Sequence, residues 1–172
     1  MTVEFSRPLV LSTVPEGGRR LTLSATAEER AALARRLDLV SLDRLDAEAE
    51  IRPERGPGGI YRVTGRMRAA VVQSCVVTLE PVPQEVEESL DWRVIPGGTA
   101  EEDEGEAPED MAEGPEDVEA AGGVLDVGEA LAQQLSLALD PYPRAPGAAL
   151  DPGGAGDSRS PFAALSRLRR DG

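Results

Sequence analysis

Between Glu85 and Val94 the chain alternates: Val86, Leu90, Trp92 and Val94 interleave with Glu85, Glu87, Ser89, Asp91 and Arg93. Successive side chains of a strand point to opposite faces, so this run has one covered and one wet face. Glu88 interrupts the covered side. A second alternating run lies upstream, where Tyr61, Val63, Gly65 and Met67 share one face and Arg62, Thr64, Arg66 and Arg68 the other. Two such runs call for an antiparallel sheet with its apolar side covered by other elements.

The rest of the chain supplies the cover. Residues 3–14 read as extended, Pro15-Glu16-Gly17-Gly18 as a turn, and Leu21-Thr22-Leu23 as a short strand. Thr26-Ala27-Glu28-Glu29 is a capping box that opens a helix through Leu37. Leu42 to Ile51 reads as a strand ending at Pro53, and Gly56-Pro57-Gly58-Gly59 as a turn. Ala69 to Leu79 continues the second alternating run as an apolar strand around Cys75, broken by Pro81-Val82-Pro83. Asp126-Val127-Gly128-Glu129 is a second capping box, with Glu129 expected to reach back to the Asp126 amide. Val127, Leu131, Leu135, Ala138 and Leu139 follow at three- and four-residue spacing, giving that helix one greasy face. Pro141, Pro143 and Pro146 then hold the chain extended.

Charge divides the chain unevenly. Of a net charge of -14, eleven acids fall between Glu101 and Glu119 with no base among them, leaving a net of three negative charges elsewhere. Residues 96–123 are rich in Gly, Pro and Glu, and burial there cannot offset chain entropy, so they read as a disordered acidic loop. Residues 147–159 read as a flexible linker, and Ser160 to Arg170 as a tail able to form a short helix with Pro161 in its first turn. The expected fold is α+β: an antiparallel, barrel-like sheet with two helices, a disordered acidic loop and a flexible C-terminal tail. One domain is expected over 1–148, with 149–172 as linker and tail.

The sequence contains no histidine and a single cysteine. That removes His-dependent triads and the usual zinc ligand sets, and an internal disulfide cannot form. Cys75 has no activating partner nearby in sequence and reads as a small buried hydrophobe of the core. No catalytic residue, metal, cofactor or small-molecule substrate is expected. The first residues lack the order of a signal peptide, and no run of about eighteen apolar residues is present, so a cytoplasmic, membrane-free location is expected.

All 18 basic residues are arginine, the side chain best suited to bidentate phosphate or carboxylate contacts, although GC-rich codon usage produces the same bias. Arg62, Arg66 and Arg68 on one sheet face are the RNA-contact candidates. The alternative is a solvated face paired across strands with Glu85, Glu87 and Asp91. Aromatics able to stack on bases are almost absent from that face, so sequence-specific RNA reading is not expected. Tyr142 and Arg144, stiffened by the surrounding prolines, are partner-contact candidates; the alternative packs Tyr142 back onto the sheet. Phe162 and Leu165 in the tail are partner-contact candidates as well.

Three stretches resemble the YceD family, the large ribosomal RNA subunit accumulation proteins, in the form associated with alphaproteobacteria. They are Val72-Gln73-Ser74-Cys75-Val76-Val77-Thr78-Leu79-Glu80-Pro81-Val82, Leu137-Ala138-Leu139-Asp140-Pro141-Tyr142-Pro143-Arg144 and Ser160-Pro161-Phe162-Ala163-Ala164-Leu165. Many members carry a second cysteine three residues after the first; here Thr78 stands in that place, so no Cys-x-x-Cys role carries over. The resemblance implies a non-enzymatic bacterial ribosome-biogenesis factor supporting accumulation or processing of large-subunit (23S) ribosomal RNA. Its implied partners are that RNA or a pre-ribosomal particle. A small zinc-ribbon protein of the large subunit, whose gene often neighbours those of the family, is a further one. The residues alone also support a protein-only adaptor or chaperone that captures a basic client through the acidic run.

Overall fold

The computed structural model describes residues 4–56, 58–97 and 114–149. Its elements follow in the order β1 (Pro8–Val10), β2 (Arg19–Ser24), α1 (Ala27–Arg36), β3 (Ser41–Pro53), β4 (Tyr61–Ser74), β5 (Pro81–Pro96), β6 (Glu116–Ala120), β7 (Val124–Asp126) and α2 (Val127–Ala138). Strands β2 to β6 form one sheet in sequence order, and β1 pairs with β7 in a separate antiparallel ribbon. The α+β class holds, with two helices and largely antiparallel pairing.

The register of β4 against its neighbours sets the two faces. Ile51, Val63 and Trp92 lie in one rung and Leu23, Ala47, Met67 and Glu88 in another. All of these but Glu88 are buried, so both alternating runs face the way their pattern requires. Over this face lie α1, through Leu33 and Ala34, and α2, through Val127, Leu131 and Leu135. Trp92, on β5, donates through Nε1 to Gln134 Oε1 at 3.4 Å, which seats α2 across that strand. The opposite face carries Arg62, Arg66 and Arg68 of β4 and Glu85, Glu87, Asp91 and Arg93 of β5.

Close approach of backbones is built in at two glycines. A side chain at Gly65 would place its Cβ 2.3 Å from the Glu48 carbonyl oxygen of β3, and one at Gly128 would come 2.5 Å from the Phe5 carbonyl. Any Cβ at either place must displace backbone. The N-terminal segment therefore crosses directly over the start of α2, and Asp126 ties it there. Asp126 Oδ1 accepts from the amides of Arg7 (2.8 Å), Gly128 (3.1 Å) and Glu129 (3.2 Å), and Oδ2 accepts from the Ser6 hydroxyl.

Five expectations need correction. The sheet is not a barrel among the described residues: β2 and β6 stand at opposite ends of the strand order and do not pair. Edge strands of six and five residues beside strands of 13 to 16 cannot supply a continuous closing ladder. The acidic stretch does not run unstructured through residue 123, because Glu116–Ala120 is β6, parallel to β5. The segment from Pro96 to Glu116 is long enough for the crossover a parallel pair needs, about a dozen residues. Ala120 is fully buried, Val118 packs on the core, and Arg93 grips Asp117 at 2.6 and 2.7 Å. The rest of the acidic run, 98–113, lies outside the described residues.

The apolar strand expected through Leu79 instead ends at Ser74, and a turn over residues 75–80 leads into β5 at Pro81. Pro81 and Pro83 do not break the strand but belong to it, opposite Ser74 and Val72. Two residues apart, they turn their nitrogens the same way, toward the edge that β6 leaves uncovered, where no donor is needed. Finally, Glu129 does not close a capping box; both its carboxylate oxygens are taken by Arg36 at 2.7 and 2.8 Å.

Candidate functional site

The arginine row lies on the open face of β4, as its alternation requires, and every member is in an ion pair. Arg62 grips Asp91 of β5 with two contacts of 2.6 and 2.7 Å and reaches Glu54 at 3.6 Å. Arg66 and Arg68 converge on one carboxylate, Glu87, at 3.0 and 3.3 Å. The third expected acid, Glu85, belongs instead to Arg44 of β3, at 2.8 Å. Cross-strand register explains the pattern, since Arg68 stands directly opposite Glu87 while Arg62 and Arg66 reach their acids diagonally. All three guanidinium groups remain at least a third exposed, and the Asp91 hydrogen bond raises the pKa of Arg62 above its ordinary value.

Beside the row is a hollow of about 600 Å³ lined by Thr22, Ser24, Arg44, Glu48, Arg66 and Arg68. It mixes both signs of charge. On the β3 side Asp46 and Glu48 stand directly opposite Arg68 and Arg66, so this end carries no positive excess. Tyr61 and Trp92 both share the covered face of the sheet, so they offer nothing for base stacking here.

The second region is the pole where β4, α1 and α2 end. Tyr142 does not pack back on the sheet: it is 71% exposed, and its amide donates to Asp140 Oδ1 at 2.9 Å. Arg144 is exposed, and no ion pair engages it among the described residues. The residue between them, Pro143, is buried, and its carbonyl accepts from the Val76 amide at 2.9 Å. Gln73 Nε2 donates to the Asp140 carbonyl at 3.0 Å. The proline-rich segment is thus pinned to the β4–β5 turn, with Tyr142 and Arg144 facing outward.

Cys75 opens that turn and is fully buried. Its Sγ accepts from the amides of Ala145 (3.3 Å), Val77 and Thr78 (3.4 Å each). The Ala145 amide first, then Thr78, pull the thiol down to about 6 while burial opposes them. The sulfur thus collects amide donors from both segments and joins them. Among the described residues no group of three or more Cys, Asp or Glu side chains is placed to hold a metal ion, and no helix is long and apolar enough to cross a membrane. Phe162 and Leu165 lie outside the described residues.

Sequence reasoning missed the exposed apolar residues of this pole, Val40, Val76, Leu79 and Leu137. Leu137 carried a signal, since it falls off the helix's buried stripe. The others sit in short connections where periodicity says nothing.

One family model matches: that of the Large ribosomal RNA subunit accumulation protein YceD, over residues 63–169, more than half of the 172-residue chain. No curated protein and no solved structure matches the chain.

Proposed function

The chain belongs to the YceD family, and on that premise we propose that it is a non-enzymatic ribosome-biogenesis factor supporting accumulation or processing of large-subunit (23S) ribosomal RNA. The observation that carries this reading is the family match, which spans β4, β5, α2 and the proline-rich segment. It acts in the cytoplasm as one domain over 1–148, carrying its acidic segment and tail as appendages. Its partners are the large-subunit RNA or a pre-ribosomal particle, together with a small zinc-ribbon protein of the large subunit.

Arg62, Arg66 and Arg68 are the RNA contacts in this proposal. Their carboxylate partners are exposed, and exposed ion pairs are worth about 0–1 kcal/mol, so a phosphate can replace Glu87 or Asp91 at little cost. The contact is to backbone phosphate and indifferent to sequence. Tyr142, Arg144, Phe162 and Leu165 are the protein contacts.

A second reading is favoured by the ion pairing itself. With every arginine of the row already neutralised, the chain meets RNA only indirectly, and its acidic run holds a basic client such as a ribosomal protein. The two readings part in one experiment. Variants Arg62→Gln, Arg66→Gln and Arg68→Gln combined, and deletion of 101–113, are each tested for RNA binding and for rescue of a strain lacking the protein. The RNA reading expects the arginine variant to fail in both assays and the deletion to pass. The client reading expects the reverse for rescue. Rescue by both variants overturns both contact assignments.

A further inference from the structure

We infer that the pole formed by the β4–β5 turn and the end of α2 is the docking site of the chain's own C-terminal segment, residues 160–170. Five large apolar side chains gather at this end and are left to solvent: Leu79 (78% exposed), Leu137 (73%), Tyr142 (71%), Val40 (57%) and Val76 (49%). The only other exposed large apolar groups among the described residues are Val10 and Val124. Such a collection on a small domain marks a binding surface. One of them, Leu137, also lines a hollow of about 560 Å³, together with Leu37, Asp38, Gln73, Leu139 and Asp140, among others. That volume lies in the range of ligand clefts, about 300–1,000 Å³.

The hollow is also chemically incomplete. Gln73 Oε1 is buried without a hydrogen-bond partner, although its Nε2 is satisfied by the Asp140 carbonyl. A buried amide oxygen left unpaired costs stability. Two non-glycine residues here hold positive φ, Asp38 (54°) and Leu79 (61°). At Leu79 that conformation closes the β4–β5 turn, where its amide donates to the Cys75 carbonyl at 2.9 Å.

The segment fits this site on three counts. Phe162, Leu165 and Leu168 recur every third residue, a spacing that puts them on one face when the segment is helical, and Arg167, Arg169 and Arg170 give it positive charge complementary to Asp38, Asp140 and Glu80. The described chain leaves from this same pole, since the Ala145 amide is bound to Cys75 and the Ala148 amide to the Ala145 carbonyl. The eleven residue-to-residue steps from Ala149 to Ser160 span up to about 36 Å when extended, enough to return. The family match also continues to residue 169, so the family pattern includes this segment. The inference needs no ribosomal component and stands apart from the proposed function.

The test is hydrogen exchange on the full chain and on the double variant Phe162→Ala, Leu165→Ala, whose sites lie outside the described core. Docking within the chain predicts about tenfold or more faster exchange over 137–145 in the variant, with β4 and β5 unchanged, from the loss of two buried apolar side chains. The wild-type peptide 158–172 then restores protection to the variant but not to the variant that also carries Leu137→Asp. Protection in the wild-type chain is the same at low and high protein concentration. Equal exchange in the two proteins overturns the inference. So does protection that rises with concentration alongside a doubled mass, which assigns the site to a second copy.

Discussion

Replacing Asp126 by alanine removes four hydrogen bonds at once, from Ser6, Arg7, Gly128 and Glu129. Loss of the helix cap costs about 1 kcal/mol. The Arg7 amide, partly buried against α2, then loses its acceptor and adds about 1 kcal/mol, with a few tenths from the exposed Ser6 hydroxyl. The sum is about 2–3 kcal/mol, or a fall in Tm of about 5–10 °C for a chain of this size. Asp126→Asn keeps the acceptor oxygen and caps a helix about as well, so it should lose less than about 1 kcal/mol. Trp92 is the single tryptophan and is packed beside α2, so its fluorescence reports the transition in a urea titration. Burial raises the Asp126 pKa, but the bonds from Ser6 and the three amides outweigh it, and the net shift is downward. Its stabilisation is therefore present at neutral pH and lost as pH falls through the folded-state value, a loss that the asparagine variant should not share. A loss below about 0.5 kcal/mol for Asp126→Ala, or equal losses for alanine and asparagine, would refute the view that this carboxylate clasps the N-terminal segment to α2.

Three further outcomes follow from single side chains. The Arg7 guanidinium, bound at 2.7 and 3.0 Å, and the Thr26 amide hold Glu29 at about 2. Its contribution, about 1 kcal/mol after solvent screening, is complete above pH 4.5 and vanishes toward pH 2, so Glu29→Gln should flatten that limb of a stability–pH curve. Gly128→Ala drives a Cβ onto the Phe5 carbonyl and should cost about 2–4 kcal/mol in urea denaturation, although alanine favours helices elsewhere. Cys75 should resist iodoacetamide in the native chain by about a hundredfold relative to the urea-unfolded chain, because its sulfur is fully buried despite a lowered pKa.

What was legible in the sequence was whatever a local period or a local cap determines. The alternation at Tyr61–Met67 and Val86–Val94 found both faces of β4 and β5, and the Thr26–Glu29 box is formed in both directions. Where a distant partner competes, local rules lost. Glu129 has the spacing of a capping residue, but the Arg36 guanidinium offers it two charge-assisted bonds against one neutral amide. Strand β6 hides in an acidic run because a five-residue edge strand needs only Val118 and Ala120 inward and an arginine for Asp117 outward. Pro81 and Pro83 look like breakers until the strand order shows that, among the described residues, their side of β5 has no neighbour. At the candidate surfaces, the side on which Arg62, Arg66 and Arg68 stand was readable from parity. The sharing of Glu87 by two of them was not, because it depends on the diagonal reach of side chains between paired strands.

The central claim is tested most directly in a strain lacking this protein, by sedimenting its ribosomes through a sucrose gradient and quantifying mature and precursor 23S RNA. A factor for the large subunit predicts fewer free large subunits, with less mature 23S RNA or more of its precursor, and recovery on re-expression. A gradient and RNA levels indistinguishable from the parent strain would contradict it.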